Sequence, residues 1–155
     1  MQPMTCKVSE INIYDINYPC YLSDIPPDGI RIAHIPGEFE YRYLEGIKSY
    51  VIEAYKTKDK IYVFDVVPLH LWKKSICRIP YEKRLKALHR IVTEQVADFT
   101  KVIDLAAILV ENPFELSDYC DGLLTKGTER VRIMDVNGNY VFGECTNGEY
   151  MELKL

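Results

Sequence analysis

Five side chains have the chemistry that a nucleotide site requires. Glu53 and Phe64 lie in two neighbouring runs of β-forming residues, and Asp121, Lys126 and Lys154 follow in the second half of the chain. An aromatic ring stacks on a purine, lysines pair with phosphate oxygens, and a carboxylate with Mg²⁺ offsets the charge of a phosphoryl group. These residue types together indicate a purine-nucleotide site, although each alone is common in proteins of other function.

Two β-forming runs position the first two of these side chains. Residues 49–55 and 60–67 are rich in β-branched and aromatic residues and are separated by a short polar segment, which predicts a hairpin. From Pro80 onward, apolar residues recur at helical spacing, and proline suits the first turn of a helix. Residues 80–99 are therefore predicted to form an amphipathic helix.

Strands are also predicted towards both ends of the chain. Residues 6–14 alternate loosely between apolar and polar, and residues 30–35 follow a Pro-Pro-Asp-Gly turn. A short helix is predicted near Pro113, and residues 121–126 are predicted to form a strand. Asn-Gly pairs, which tolerate positive φ, predict a final three-stranded meander over residues 131–136, 140–143 and 150–155.

Strands at the two ends and a helix between them predict an α+β domain of two antiparallel β-sheets with flanking helices. The 155 residues, 48% of them hydrophobic, suit one compact domain over residues 1–155. No apolar stretch is long enough to span a bilayer, so we expect a soluble protein of the cytoplasm, or of the nucleus in a eukaryote, with no membrane partner.

Charge and cysteine content exclude some classes of function. The net charge of −4 is unsuited to broad capture of a polyanion, so that any contact with DNA or RNA has to be local. The five cysteines are scattered and form no C-x-x-C pair, which indicates reduced thiols and neither a disulfide framework nor a zinc site.

The order of the segments resembles the nucleotidyltransferase domain shared by polynucleotide ligases and mRNA capping enzymes. Residues 50–54 resemble its ribose-holding strand, which implies that Glu53 holds the ribose. The Phe64-Asp65 pair resembles its base-stacking strand, which implies that Phe64 stacks on the base. The resemblance implies two sheets around a nucleotide cleft and covers the chain from residue 5 to its end.

The second half of the chain carries two further motifs of the family. Asp121, followed by glycine and then by Lys126, resembles the motif that supplies an acid for the metal and a lysine for phosphate. Residues 152–154 resemble a shortened form of the last strand, which implies that Lys154 also contacts phosphate. The resemblance thus implies Mg²⁺ at Asp121 and ATP or GTP as the substrate.

The nucleophile of the family is the lysine of a K-x-D-G motif, which attacks the α-phosphate and forms a covalent lysyl-nucleotide. The resemblance assigns this role to Lys7, although a Ser-Glu pair stands at 9–10 in place of Asp-Gly. A second register puts Tyr43 at the lysine position and uses the Glu-Gly pair at 45–46, but it leaves too few residues before Glu53 for the intervening strands. Such a nucleophile needs a pKa lowered from about 10.4 by desolvation or by neighbouring cations.

Three functions remain open. The first is a minimal nucleotidyltransferase that acts through Lys7 on DNA or RNA ends. Because ligases and capping enzymes usually carry an OB-type domain, which the sequence is not expected to contain, this interpretation implies a partner protein that supplies one. The second is a catalytically inactive module that binds a nucleotide, a cap or a nucleic-acid end, as the cap-binding domain of snurportin does. The third is a scaffold or inhibitor that keeps only the fold. The enzyme is placed marginally ahead, since an acid, two lysines and an aromatic residue stand where its chemistry needs them.

Overall fold

A computed structural model describes residues 5–7, 12–74, 76–140 and 150–155 of the protein, with the backbone alone at residues 5–7 and 150. The described strands form two β-sheets, and one α-helix packs on each sheet. In chain order they are β1 (Thr5–Lys7), β2 (Cys20–Asp24), β3 (Ile30–His34), β4 (Tyr50–Lys56), β5 (Ile61–Pro68), α1 (Tyr81–Gln95), β6 (Val102–Asp104), β7 (Ala107–Val110), α2 (Pro113–Thr125), β8 (Arg130–Asp135) and β9 (Tyr150–Lys154).

The first sheet has the strand order β1-β9-β8-β2-β7. Alternate residues of its strands form a core with α2, in which Val131 and Ile133 of β8 pack with Leu116 of the helix. Because successive strand residues point to opposite faces, Arg132 lies on the face turned away from α2. That face looks towards the second sheet.

The second sheet has the strand order β3-β4-β5-β6, and α1 packs on its outer face. Leu88 and Ile91 of α1 share a buried core with Ile52 of β4 and Val63 of β5. The predicted hairpin is confirmed by the antiparallel β4–β5 pair. The predicted helix is confirmed as well, but it ends at Gln95, because the next residue returns to extended backbone.

The strand predicted over residues 121–126 is wrong, because these residues form the end of α2 and its C-cap. The helix begins where the Asn112 side chain accepts a hydrogen bond from the backbone N–H of Glu115 at 3.0 Å, and Pro113 suits its first turn. Leu116 and Cys120, four residues apart, are buried against the first sheet. This apolar stripe continues the helix through the Asp-Gly pair.

The other strand predictions have mixed outcomes. Residues 13–14 of the predicted first strand belong to a 3-10 turn, which Asn12 caps by accepting from the N–H of Tyr14 at 3.0 Å. Residues 8–11 and 141–143, which were also predicted as strands, lie outside the described residues. Two strands of the predicted meander are confirmed as β8 and β9, but they pair directly with each other, so the meander with a middle strand between them is wrong. The strands β2, β6 and β7 were not predicted.

The predicted α+β class with two sheets is confirmed. All described strand pairs are antiparallel except β1–β9 and β5–β6. Of the two α-helices in the described part of the chain, neither is long and apolar enough to cross a membrane.

Candidate nucleotide site

A buried network of charged and phenolic side chains joins the facing sides of the two sheets. The Tyr55 hydroxyl of β4 donates to the Glu152 carboxylate of β9, and Arg132 donates from Nη1 to the Tyr55 oxygen at 3.2 Å and to Glu152 Oε1 at 3.3 Å. Burial is the main cause that raises the pKa of Tyr55, so that its hydroxyl stays protonated and able to donate. The sheets are therefore in direct contact here.

Phe64 lies at the centre of this contact and is only 2% exposed. The Tyr55 ring stacks on it with centroids 4.8 Å apart and planes inclined by 30°. The guanidinium carbon of Arg132 lies 4.0 Å from the Phe64 centroid, and that of Arg31 lies 5.7 Å from it. The ring predicted to stack on a base is thus already packed against an aromatic ring and two cations.

Glu53, the predicted ribose ligand, is buried and accepts hydrogen bonds at both carboxylate oxygens. Arg31 donates from Nη2 to Oε2 at 2.6 Å, and the Tyr140 hydroxyl donates to Oε1. Burial, reinforced by the charge of Glu53, raises the pKa of Tyr140. A ribose hydroxyl at Glu53 would have to replace or share one of these donors.

Asp65, which follows Phe64, anchors α1 to the second sheet. Arg84 of the helix donates from Nε to Asp65 Oδ1 at 2.9 Å and from Nη2 to Oδ2 at 3.2 Å, and both side chains are buried. The Tyr81 hydroxyl donates to the Phe64 carbonyl at 2.8 Å. The Asp65 carboxylate therefore stabilises the position of α1 on the second sheet.

The turn between β2 and β3 connects the two sheets and carries an Asp-Gly pair. Asp28 has a φ of +63°, and the N–H of Gly29 donates to the Pro26 carbonyl at 3.0 Å. A Cβ at Gly29 would lie 2.9 Å from that carbonyl oxygen and 3.3 Å from Tyr55 Cβ, so glycine permits this close approach. Arg130 donates from Nη2 to the Gly29 carbonyl at 2.9 Å.

Basic residues of three adjacent strands share one register position, and one of them, Arg130, lies beside this turn. Lys154 of β9 is the register partner of Lys7 on β1 and of Arg130 on β8. Neighbouring strands are about 4.8 Å apart, and like charges directly opposite one another are destabilising unless an anion compensates them. Lys154 is exposed at an open cavity of about 450 Å³, whose lining also includes Gly127, Thr128 and the acidic Glu129. The charges of Arg130 and Lys154 favour binding of an anion, and that of Glu129 opposes it.

Lys126 is close in sequence to residues that line this cavity, whereas Asp121 is farther from them. Lys126 is the exposed C-cap of α2 and stands in the chain between the cavity residues Leu124 and Gly127. Asp121 is exposed one turn earlier on the helix. Among the described residues, no three or more His, Cys, Asp or Glu side chains are grouped to hold a metal ion. The described residues therefore do not fit a metal ion held by the protein alone, and Asp121 as a metal ligand stays a prediction.

No protein-family model and no curated protein matches the chain. Solved ligase structures nevertheless superpose on nearly all of it. Pmar-Lig_PreS3 does so with a TM-score of 0.74 at 14% identity over 99% of this chain. Chlorella virus DNA ligase-adenylate gives 0.66 at 22% identity over 100%, and a Lig E DNA ligase gives 0.66 at 12% identity over 99%.

The chain has the nucleotidyltransferase fold of DNA ligases. The predicted resemblance is confirmed at the level of the fold. The chain spans 46% of the Pmar-Lig_PreS3 chain and 68% of each of the other two.

The sequence also contains an intact Asp-Gly pair at Asp28-Gly29, in the turn between β2 and β3. Pro26 is two residues before the aspartate, at the position that a K-x-D-G motif gives to lysine. A lysine is absent at this position, so the Asp-Gly pair is the part of the motif that the sequence retains. Lys7 lies on the edge strand β1, and its role as nucleophile stays a prediction.

Sequence reasoning also missed the partners that fill the ligase-like cleft. Arg132 and Tyr140 contact Phe64 and Glu53 from strands or segments far along the chain. No local sequence pattern predicts such contacts, because they depend on how the two sheets pack against each other. One signal in the sequence is Arg132, which stands between Val131 and Ile133, where an unpaired buried charge would be costly.

Proposed function

We propose that this chain is a catalytically inactive ligase-fold module that binds the phosphate groups of a nucleotide or of a nucleic-acid end. The observation that carries the proposal is the pair of Arg130 and Lys154 in direct register, with Arg130 bonded to the Gly29 carbonyl. Arg130 places positive charge beside the Asp-Gly turn, and Lys154 places it at the open cavity. Lysine and arginine bind phosphate oxygens well, and a local basic site is compatible with the overall net charge of −4.

Inactivity follows from the residue at position 26. A lysyl-nucleotide needs an amine beside the Asp-Gly pair, and the ring of Pro26 carries no nucleophile. A phosphate group held at Arg130 and Lys154 would therefore be bound without being transferred.

A second candidate is the minimal nucleotidyltransferase acting through Lys7 on ATP or GTP. It is favoured by the backbone register of Lys7 with Lys154, which places a second basic residue on the strand beside the proposed nucleophile. For this second candidate the ligands we propose are purine nucleotides and DNA or RNA ends, and the location we propose for either candidate is the cytoplasm or the nucleus. A partner protein with an OB-type domain is a further proposal for the enzyme.

Transfer is tested with ATP and GTP labelled at the α-phosphate, incubated with the protein and Mg²⁺ before denaturation. We expect no label on the wild-type chain and none on Lys7→Ala. Acid-labile label that disappears in Lys7→Ala would establish the second candidate instead. Label that persists in Lys7→Ala would contradict both assignments, because another residue would then be the nucleophile.

Binding is tested by fluorescence anisotropy with 5′-phosphorylated and 5′-hydroxyl oligonucleotides of DNA and RNA. We expect the phosphorylated ends to bind more tightly, and Lys154→Ala to weaken them about tenfold, as expected for a charge-assisted hydrogen bond. The slope of log affinity against log salt should also fall by about 1. Lys86→Ala, which removes an exposed lysine on α1, is the matched control. If no oligonucleotide binds, the scaffold interpretation takes precedence.

A further inference from the structure

The base-stacking position of the cleft is filled by the protein itself. Arg132 is 1% exposed and its guanidinium carbon lies 4.0 Å from the Phe64 centroid. A planar guanidinium at this distance makes the type of stacking contact that a nucleobase makes with an aromatic ring. Phe64 has no exposed face left for a base.

The neighbours of Arg132 hold it in this position. Nη1 donates to Tyr55 and to Glu152, and Glu152 also accepts from the Tyr55 hydroxyl. Rotation of Arg132 into solvent would leave the buried Glu152 carboxylate without its cationic partner, which is strongly unfavourable. A base that entered would gain only a stacking contact that the guanidinium already makes.

The proposed phosphate position, in contrast to the filled base position, is open to solvent. Arg130 is two residues before Arg132 on the same face of β8, and its partner Lys154 is exposed. Strand β8 therefore carries both arginines: Arg132 fills the proposed base position, and Arg130 lies beside the proposed phosphate position.

We infer that Arg132 excludes nucleobases from the cleft, so that the site takes phosphate groups whatever base, or none, is attached to them. The inference rests on the proposed function and names its ligand class as a terminal phosphate or polyphosphate. Arg132 is a specificity-determining residue in this account.

Calorimetric titration of the full chain with ATP, CTP and inorganic tripolyphosphate tests the inference. We expect the three dissociation constants to agree within about threefold, since base stacking adds at least about fivefold where it occurs. ATP binding tenfold more tightly than tripolyphosphate would overturn the inference while leaving phosphate binding intact. Absence of heat with all three, and of binding to phosphorylated oligonucleotides, would overturn the proposed function itself.

Variants that open the base position give a second test. In Arg132→Ala, ATP should gain about fivefold or more over tripolyphosphate, whose own affinity should change little. Because this change leaves Glu152 buried without its cation, a second variant combines Arg132→Ala with Glu152→Gln, which removes both charges and also leaves the base position open. Lys86→Ala is the control. A folded variant in which ATP gains nothing over tripolyphosphate would contradict the assignment, and if neither variant folds, the wild-type comparison decides it.

Discussion

Arg130 donates a hydrogen bond from Nη2 to the carbonyl oxygen of Gly29 at 2.9 Å, and this bond connects the first sheet to the turn that leads into the second. The same turn carries the Asp-Gly pair, and the strand of Arg130 is paired with that of Lys154. The backbone of the turn is therefore fixed relative to Arg130. An anion bound there would meet a preformed arrangement, which lowers the entropic cost of binding.

Gly29→Ala should destabilise the protein. The new Cβ would lie 2.9 Å from the Pro26 carbonyl oxygen, a backbone atom that cannot move cheaply. We expect a loss of about 1–3 kcal/mol in the free energy of unfolding, measured by urea denaturation. Gly122→Ala is the matched control, because a Cβ there meets nothing within 4 Å in α2 and alanine favours a helix by about 0.5–1 kcal/mol. Equal effects of the two substitutions would refute the close approach at Gly29.

Asp65→Ala should be strongly destabilising, because it leaves the buried Arg84 guanidinium without its carboxylate. The expected loss is about 3–5 kcal/mol in the free energy of unfolding. The double variant Asp65→Ala with Arg84→Met should recover part of that loss, since it removes the uncompensated charge. Glu82→Ala, which removes the exposed pair with Lys86, should cost less than about 0.5 kcal/mol. A double variant less stable than Asp65→Ala would contradict this account.

Stability should decrease as the pH falls from 7 to 5, and His34 should account for part of this change. Its Nδ1 accepts from the Tyr41 N–H at 3.0 Å, so the neutral ring carries its proton on Nε2, 3.3 Å from the Ile47 carbonyl. Burial lowers the pKa of His34 in the folded protein, and the nearby charges of Glu40 and Lys48 act on it in opposite directions.

The unfolded chain, with a histidine pKa of about 6.5, therefore binds more protons than the folded one below that pH. The contribution of His34 is complete above pH 6.5 and is lost as the pH falls, by at most about 1.4 kcal/mol per unit. Urea denaturation at several pH values should show a smaller slope in His34→Gln than in the wild type. His70→Gln, at an exposed position, should leave the slope unchanged.

Cys20 and Cys120 should resist alkylation in the native protein. Burial is the main cause that raises the pKa of Cys20 to about 12 and that of Cys120 to about 11, and the thiolate is the reactive form. Peptide mapping after iodoacetamide treatment at pH 8 should find both unmodified, and modified once urea is added. Rapid native modification of Cys20 would show that the core of the first sheet opens more readily than its burial implies.

Periodicity was sufficient for the elements that bury a regular apolar face. The β4–β5 hairpin and α1 follow from β-forming runs and helical spacing, and these elements pack together in one core. The failure at residues 121–126 has a local cause. A short motif was given more weight than the helix start at Asn112 and the apolar spacing of Leu116 and Cys120, which together determine the structure.

The candidate site was predictable in its residue types and not in its contacts. Glu53 and Phe64 do face the space between the sheets, but the sequence could not show that Arg132 and Tyr140 occupy that space. Their positions depend on pairings between strands distant along the chain. The sequence does contain a second Asp-Gly pair at Asp28-Gly29, with Pro26 at the position that a K-x-D-G motif gives to lysine.

The first residues of α1 are bonded to the opposite layer of the molecule. Tyr81 and Glu82 donate their backbone N–H groups to the carbonyl oxygens of Gly138 and Val136, which follow β8, while the helix itself packs on the second sheet. A helix has no internal acceptors for its first N–H groups, so the other layer supplies them. Separation of the layers at this end would expose both amides together. Their rate of exchange with deuterated solvent is therefore a direct gauge of how often the two halves of the protein part.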